Sequence, residues 1–315
     1  MKPDIYNWAP EVASKGLCRL GPWDWLITSG RGEGEGDETR ATWCRDQFPE
    51  IPILWMHRTN PATPHQFCVK TINWSNDDVD WSQLADCLGK EIRSGQGVLI
   101  DMSLLSFDAL LYLLPALRER KIARLACVYI TPDEYTFPEQ ALSDQLLHPV
   151  EQPKAYVALA LDADRQRARH LVFLGFDQGR AWKFINKYDW KFDHLHIALG
   201  DPPFVENGRE KAEKAAETWL EPFQRSYPGH VTGIDATDPS AVADWCLTHW
   251  KGSEWLDIVP LGPKPMNLGI LWFYFGITKE ERGRVRLLYD FPVQRAPRSQ
   301  GVKQVYLFDC ARMLT

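Results

Sequence analysis

The chain has no apolar run long enough to span a bilayer. Its longest, ALLYLLPAL and LGILWFYFGI, fall far short of the roughly 20 residues a membrane helix needs. The amino-terminal MKPDIYNWAP lacks the apolar core of a secretory signal, so none is expected. Paired cysteines are missing as well. There are seven, an odd number, with no CxxC among them, which excludes the usual zinc spacings and a disulfide framework and points to a reducing compartment. No basic excess exists either. The formal net charge is -6, which excludes bulk binding of DNA or RNA but leaves room for a local basic pocket. These absences lead to the expectation of a cytoplasmic protein with no membrane partner.

Several catalytic and cofactor signatures are absent too. The glycine-rich stretch LITSGRGEGEGDE (26–38) is not a G-x-G-x-x-G fingerprint, because Glu35 or, one register on, Asp37 occupies the third glycine's place. No Lys-Ser/Thr follows it, so it is no Walker loop. No GxSxG elbow occurs, and no cysteine has a local activating motif.

What is present is a regular alternation of strand-like and helix-like stretches over 315 residues, 44% apolar and 25% charged, an ordinary globular composition. Strands are expected at 24–30, 51–57, 97–103 and 123–132, with 67–74 as an edge strand or a connection. Helices are expected near 39–48, at 80–94, where Trp81, Leu84 and Leu88 share a face, and at 107–120, where Pro115 should bend or split the helix. The pattern breaks over 133–165, which is rich in proline. It resumes with strands at 170–177, 194–202, 230–236, 255–262 and 284–292, helices at 179–189, 207–226, 239–250 and 264–275, and a terminal strand at 302–309. Alternation of this kind implies a mostly parallel sheet covered on both faces.

The two stretches on either side of the break follow one plan. Each starts with a strand, a glycine-containing turn and a helix (DWLITSGRGEG and HLVFLGFDQGR), and each later has a strand, a short polar turn and an apolar helix (VLIDMSLLSFDALLYLL and DIVPLGPKPMNLGILWF). The fold class read here is α/β, two Rossmann-like halves with mostly parallel sheets and an internal pseudo-duplication. The halves are residues 1–132 and 166–315, with 133–165 connecting them.

In such sheets ligands sit beyond the carboxyl ends of strands. In the first turn Gly30 and Gly32 allow close backbone approach and Arg31 supplies a cation. Glu33, Glu35 and Asp37 repel bare phosphate but suit ribose hydroxyls, an amine or Mg²⁺, the one cofactor this turn suggests. In the matching turn of the first half, Asp101 ends a strand, and Ser103 and Ser106 are placed to cap the next helix or, for Ser103, to meet a ligand. The second half offers Asp177, Arg180 and Asp201 after its first two strands. Its turn LGPKPMNLG combines Gly262, Lys264 and a helix amino terminus, a setting that favours an anion. His194 and His196 alternate on one expected strand and supply at most two metal ligands, so no metal site is read. The fourteen tryptophans are expected mainly in packing, with one or two free to stack on a flat ligand.

The turns DMS and LGPKPM, the latter with Gly262, Lys264 and Met266, each lead into an apolar helix. In this they resemble the ligand-sensing turns of CARF-type Rossmann-like domains. That resemblance implies paired domains that bind cyclic oligonucleotide signals in bacterial antiviral defence. The glycine- and acid-rich first turn departs from the pattern. The functional expectation is therefore binding of a nucleotide or nucleotide-derived signal in a cleft between the halves. One alternative is an enzyme cleaving a phosphodiester or N-glycosidic bond, with Glu33, Glu35 and Asp101 as its acids. Another is a non-catalytic subunit that meets a protein partner through its tryptophans.

Overall fold

The computed structural model describes residues 4–29, 38–58, 70–74, 81–135, 154–155, 168–176, 178–289 and 299–311. The chain divides into two compact units, Met1–Phe137 with Gln294–Thr315, and Pro138–Val293.

The first unit is built on five short apolar strands that run parallel: β2 (Trp25–Thr28), β3 (Ile53–Arg58), β4 (Lys70–Trp74), β5 (Gly97–Asp101) and β6 (Arg124–Thr131). Every residue of β2 and β5 is buried, as expected of strands covered on both faces. Their spatial order is β4-β3-β2-β5-β6. The sheet is completed by two antiparallel pairings: β15 (Gln304–Asp309) lies beside β6, and β1 (Ile5–Trp8) beside β15. Helices α1 (Pro10–Leu20), α2 (Glu38–Asp46), α3 (Trp81–Glu91) and α4 (Phe107–Glu119) link these strands. A two-residue ladder, β7 (Glu134–Tyr135) with β14 (Ser299–Gln300), ties the end of the first excursion to the returning chain.

The second unit repeats the order. Strands β9 (Ala168–Phe173), β10 (Leu195–Gly200), β11 (Val231–Ile234), β12 (Trp255–Pro260) and β13 (Val285–Tyr289) are parallel and lie as β11-β10-β9-β12-β13. An antiparallel edge, β8 (Lys154–Ala155), closes the β13 side. Helices α5 (Gln178–Lys187), α6 (Gly208–Ser226), α7 (Pro239–Trp250), α8 (Lys264–Gly276) and the short α9 (Lys279–Arg282) intervene. Local chemistry sets several of their starts. Asp238 caps α7 by accepting from the amides of Ser240 and Ala241, with Pro239 in the first turn. Thr278 and Glu281 form a reciprocal capping box on α9.

The apolar core of this unit, with Val172, Phe184, Ile197, Leu220, Val259 and Leu288, borders a polar group of three. His170, Asp257 and Arg286 occupy adjacent register positions on β9, β12 and β13. Asp257 accepts from Nδ1 of His170 at 3.0 Å and from Nε and Nη2 of Arg286, both at 2.8 Å. The imidazole stacks on Trp190 and the guanidinium lies over Tyr188. Each side chain is buried, and both oxygens of Asp257 are engaged, as a carboxylate kept in a core requires.

The α/β class and the parallel sheets of the sequence reading are present, and the two cores share one strand order. Several details differ. The terminal strand, expected with the second half, belongs to the first sheet as β15, because its backbone partners are β6 and β1. The proline-rich connection 133–165 contains β7 and β8. The amino-terminal β1 and α1 were not anticipated. Helix α4 runs unbroken through Pro115. His194 closes a 3-10 turn (Phe192–His194) ahead of β10, so it does not alternate with His196 on the strand.

Candidate functional site

A parallel sheet whose order reverses beside its first strand has a crevice at that point, outside the carboxyl ends. Each unit has one, and among the described residues Asp101, Ser103, Arg180, Gly262 and Lys264 lie near them.

In the first unit the crevice lies between the ends of β2 and β5. Thr28, the last residue of β2, donates from Oγ1 to Oδ2 of Asp101, the last residue of β5, at 3.1 Å. The amide of Ser103 donates to Oδ1 of Asp101 at 3.0 Å. The hydroxyl of Ser103 in turn accepts from the amide of Ile130 at 2.9 Å, and Arg40 donates to the Ile130 carbonyl at 3.1 Å. Burial pushes the Asp101 carboxyl above the usual range, against the opposing pull of its Ser103 and Thr28 hydrogen bonds and the nearby Arg40 charge. With 0% of its surface exposed, Asp101 binds strand ends together and does not face solvent. The two serines do not cap α4: Ser106 stands at the N-cap without a side-chain bond to the helix, and Ser103 is committed to Ile130. Gly30, Arg31, Gly32, Glu33, Glu35 and Asp37 lie outside the described residues.

In the second unit the crevice lies between β9 and β12. The Leu261 amide donates to the Phe173 carbonyl at 3.1 Å, and the two following turns come into backbone contact. A Cβ on Gly175 would stand 2.4 Å from the Leu261 carbonyl oxygen, so only glycine permits this approach. Gly262 is similarly close to Met266, with 3.2 Å from its virtual Cβ to the sulfur. Lys264 opens α8. Arg180, on the first turn of α5, is 8% exposed and lies with its guanidinium 5.6 Å from the centre of the Tyr289 ring, at the carboxyl end of β13. Asp201 follows β10 and is held by Arg209 of α6, which also pairs with Glu213 at 3.1 Å. Asp177 lies outside the described residues. The topology thus brings Arg180, Gly262 and Lys264 to one sheet edge, while Asp201 is engaged one strand further out.

The backbone contact at Gly175 makes a direct prediction. Gly175→Ala should destabilise the second unit by about 1–3 kcal/mol, the usual cost of overpacking, since neither carbonyl nor strand can yield locally. Urea unfolding followed by tryptophan fluorescence measures it, and an unchanged midpoint would contradict the contact.

At the opposite, amino-terminal edge of the same sheet is a cavity of about 550 Å³. It is lined by Arg169, Asp193, His194, His196, His230, Thr248, His249 and the Gly252–Ser253 turn. The sequence reading noticed two of these histidines. His230 immediately precedes β11 and His249 lies in the last turn of α7, and only the strand order brings them in. The His196 ring centre is 4.5 Å from that of His230 and 4.2 Å from that of His249. Burial, then the neighbouring His249, His230 and Arg169 charges, hold His196 down at about 3, and burial, Arg169 and His230 hold His249 at about 4. Among the described residues no group of three or more His, Cys, Asp or Glu side chains is disposed to hold a metal ion.

The fold and these edges define an α/β protein of two Rossmann-like units. No family model and no curated protein matches the chain. Among solved structures, CobK precorrin-6A reductase is similar over 88% of this chain and 91% of its own length, at 12% identity and a TM-score of 0.23. A superposition that loose carries no argument about ligand or reaction. Among the described residues no helix is long and apolar enough to cross a membrane.

Proposed function

We propose that the protein binds a nucleotide or nucleotide-derived small molecule at the carboxyl-edge crevice of its second unit. One observation supports this above others. The Gly175 and Leu261–Gly262 turns touch backbone to backbone, leaving the amino termini of α5 and α8 on either side of the point where the strand order reverses. Helix amino termini favour phosphate through their free amides and dipole. Lys264 and Arg180 add cationic charge at the same edge, with Lys264 as the point charge that meets phosphate. A cyclic oligonucleotide signal, as the CARF-type resemblance implies, belongs to this ligand class. The hydrolytic alternative gains nothing from the described acids, because Asp101 is sealed in the first unit's core and Asp201 is held by Arg209.

The test is calorimetric titration of the purified protein with mononucleotides and cyclic oligonucleotides, with and without Mg²⁺. At least one should bind, and Lys264→Ala should weaken it about tenfold, the worth of a charged hydrogen bond. Absence of binding across the panel, or an unchanged Kd in the variant, rules this site out.

A partner-protein role has one supporting feature. Trp182 and Phe192 are 37% and 36% exposed and stack with ring centres 6.4 Å apart, and Trp182 continues onto Trp219 at 5.9 Å. Aromatic surface of this kind is enriched in interfaces.

A further inference from the structure

We propose that the histidine-lined cavity at the amino-terminal edge of the second sheet is an oxyanion site, one that takes up protons as it binds a phosphate- or sulfate-like group. It is separate from the carboxyl-edge crevice and does not depend on what that crevice binds.

The geometry carries the argument. Four of the chain's eight histidines line this one cavity. In two of them Nδ1 meets a backbone carbonyl, His194 with Ala168 at 3.2 Å and His230 with Leu195 at 2.9 Å. A carbonyl only accepts, so each Nδ1 carries the hydrogen. Nε2 of a neutral ring in that tautomer is an acceptor and faces an anion lone pair to lone pair. It becomes a donor only when the ring is an imidazolium. An oxyanion therefore binds these rings together with protons, and the proton goes to Nε2.

The lining has one fixed charge of each sign, and the positive one, Arg169, is the one that acts on His196 and His249, which favours an anion at those two rings. Arg169, at the start of β9, is held by donating to the His249 carbonyl at 2.9 Å and keeps a fixed positive charge on the lining. Asp193, from the 3-10 turn, is the one carboxylate in the lining, and it stands 3.8 Å from Nε2 of His194. The lining's hydroxyls, Thr248 from α7 and Ser253 beyond it, donate to the Asp244 and Trp255 carbonyls, so the donors left for an anion are the histidine rings and Arg169. A metal is disfavoured by the ring arrangement. His196 and His230 lie nearly parallel, 22° apart, so their nitrogens do not converge on a point as tetrahedral ligation requires.

Two of the four rings resist protonation. His196 and His249 are held at about 3 and about 4 by burial and by the surrounding bases. Their folded values lie below the ordinary 6.5, so the stability they contribute is present above pH 6.5 and is lost on acidification. An anion that compensates the charge removes that penalty. The expected behaviour is a protein whose melting temperature falls between pH 8 and pH 5.5, and in which sulfate restores it while chloride at equal ionic strength does not.

Sulfate is the first probe because its charge is constant over this range. Its affinity should rise as pH falls, by up to about tenfold per pH unit for each proton taken up. Calorimetry in two buffers of different ionisation enthalpy should show the uptake directly. Proton NMR of the histidine rings should show the His194, His196, His230 and His249 signals moving together when sulfate is added to the wild-type protein. A His196→Gln, His249→Gln double variant should lose the sulfate response, yet it should leave any nucleotide binding at Lys264 unchanged, which separates this site from the crevice. Inorganic phosphate and adenosine monophosphate, compared with adenosine, distinguish free phosphate from phosphate carried on a nucleoside. Affinity independent of pH, sulfate no better than chloride, ring signals that do not respond, or stabilisation by Zn²⁺ in place of sulfate would each overturn the proposal.

Discussion

Arg286→Met should lower the stability of the second unit by about 3–5 kcal/mol, the cost of leaving a buried charge without its partner. The residue left behind is Asp257, which is 0% exposed and accepts two hydrogen bonds from Arg286. The bond from neutral His170 does not supply charge. The double variant Asp257→Leu, Arg286→Met should recover most of that loss, because it removes both charges and leaves volume for Val172, Val259 and Leu288 to pack against. Burial alone would raise Asp257, but hydrogen bonds from His170 and Arg286 and the Arg286 charge bring it below its ordinary 3.8. A depressed carboxyl contributes stability that is full above 3.8 and is lost as pH falls through the folded value. His170, lowered from 6.5 mainly by burial, loses its contribution earlier on the same descent. Acid should therefore weaken the unit in two stages, histidine first. Urea unfolding at pH 7.5, 5 and 2.5 checks both claims. A single variant within about 1 kcal/mol of wild type, or a double variant no more stable than the single, would show that the pair is not the charged core contact described.

The fold was legible where local pattern determines it. The β5 run GVLID is apolar at nearly every position because both of its faces are covered, and α3 shows its buried face through Leu84 and Leu88. Strand order was not legible, because hydrogen-bond pairing across long separations leaves no local mark. Gln304 pairs with Thr131 across 173 positions, and nothing in QVYLFD says which sheet it joins. The same limit governs the sites. Gly262 and Lys264 were readable because a strand-to-helix turn with glycine and lysine is a contiguous feature. The histidine cavity was half readable, as His194 and His196 are neighbours in sequence while His230 and His249 are not. The buried group of three gave only isolated charges in apolar strands, Asp257 in WLDIVP and Arg286 in RVRLLY. A charge inside a fully apolar run is a signal that a partner exists elsewhere, and reading those two runs together would have suggested the pair.

Asp101→Ala should cost the first unit about 3 kcal/mol, from donors left without an acceptor. Thr28 Oγ1 and the Ser103 amide both lose their acceptor, at a point with no exposure to water. Arg40, 5% exposed, loses one nearby acidic group. Asp101→Asn keeps one acceptor oxygen for two donors and should lie between wild type and alanine. The pH dependence identifies the cause. Burial raises Asp101 above 3.8, so its contribution is fully present below 3.8 and is lost as pH rises through the folded value. The advantage of wild type over the asparagine variant should accordingly shrink from pH 4.5 to pH 8, opposite in sign to the behaviour of Asp257. A constant difference across that range would mean that Asp101 acts by shape and hydrogen bonding alone. The same variants separate the two units functionally. Because Asp101 closes the switch point of the first sheet, its loss should alter neither the sulfate response of the histidine cavity nor nucleotide binding that depends on Lys264. If either changed with the first unit still folded, the second unit would not hold its ligands by itself.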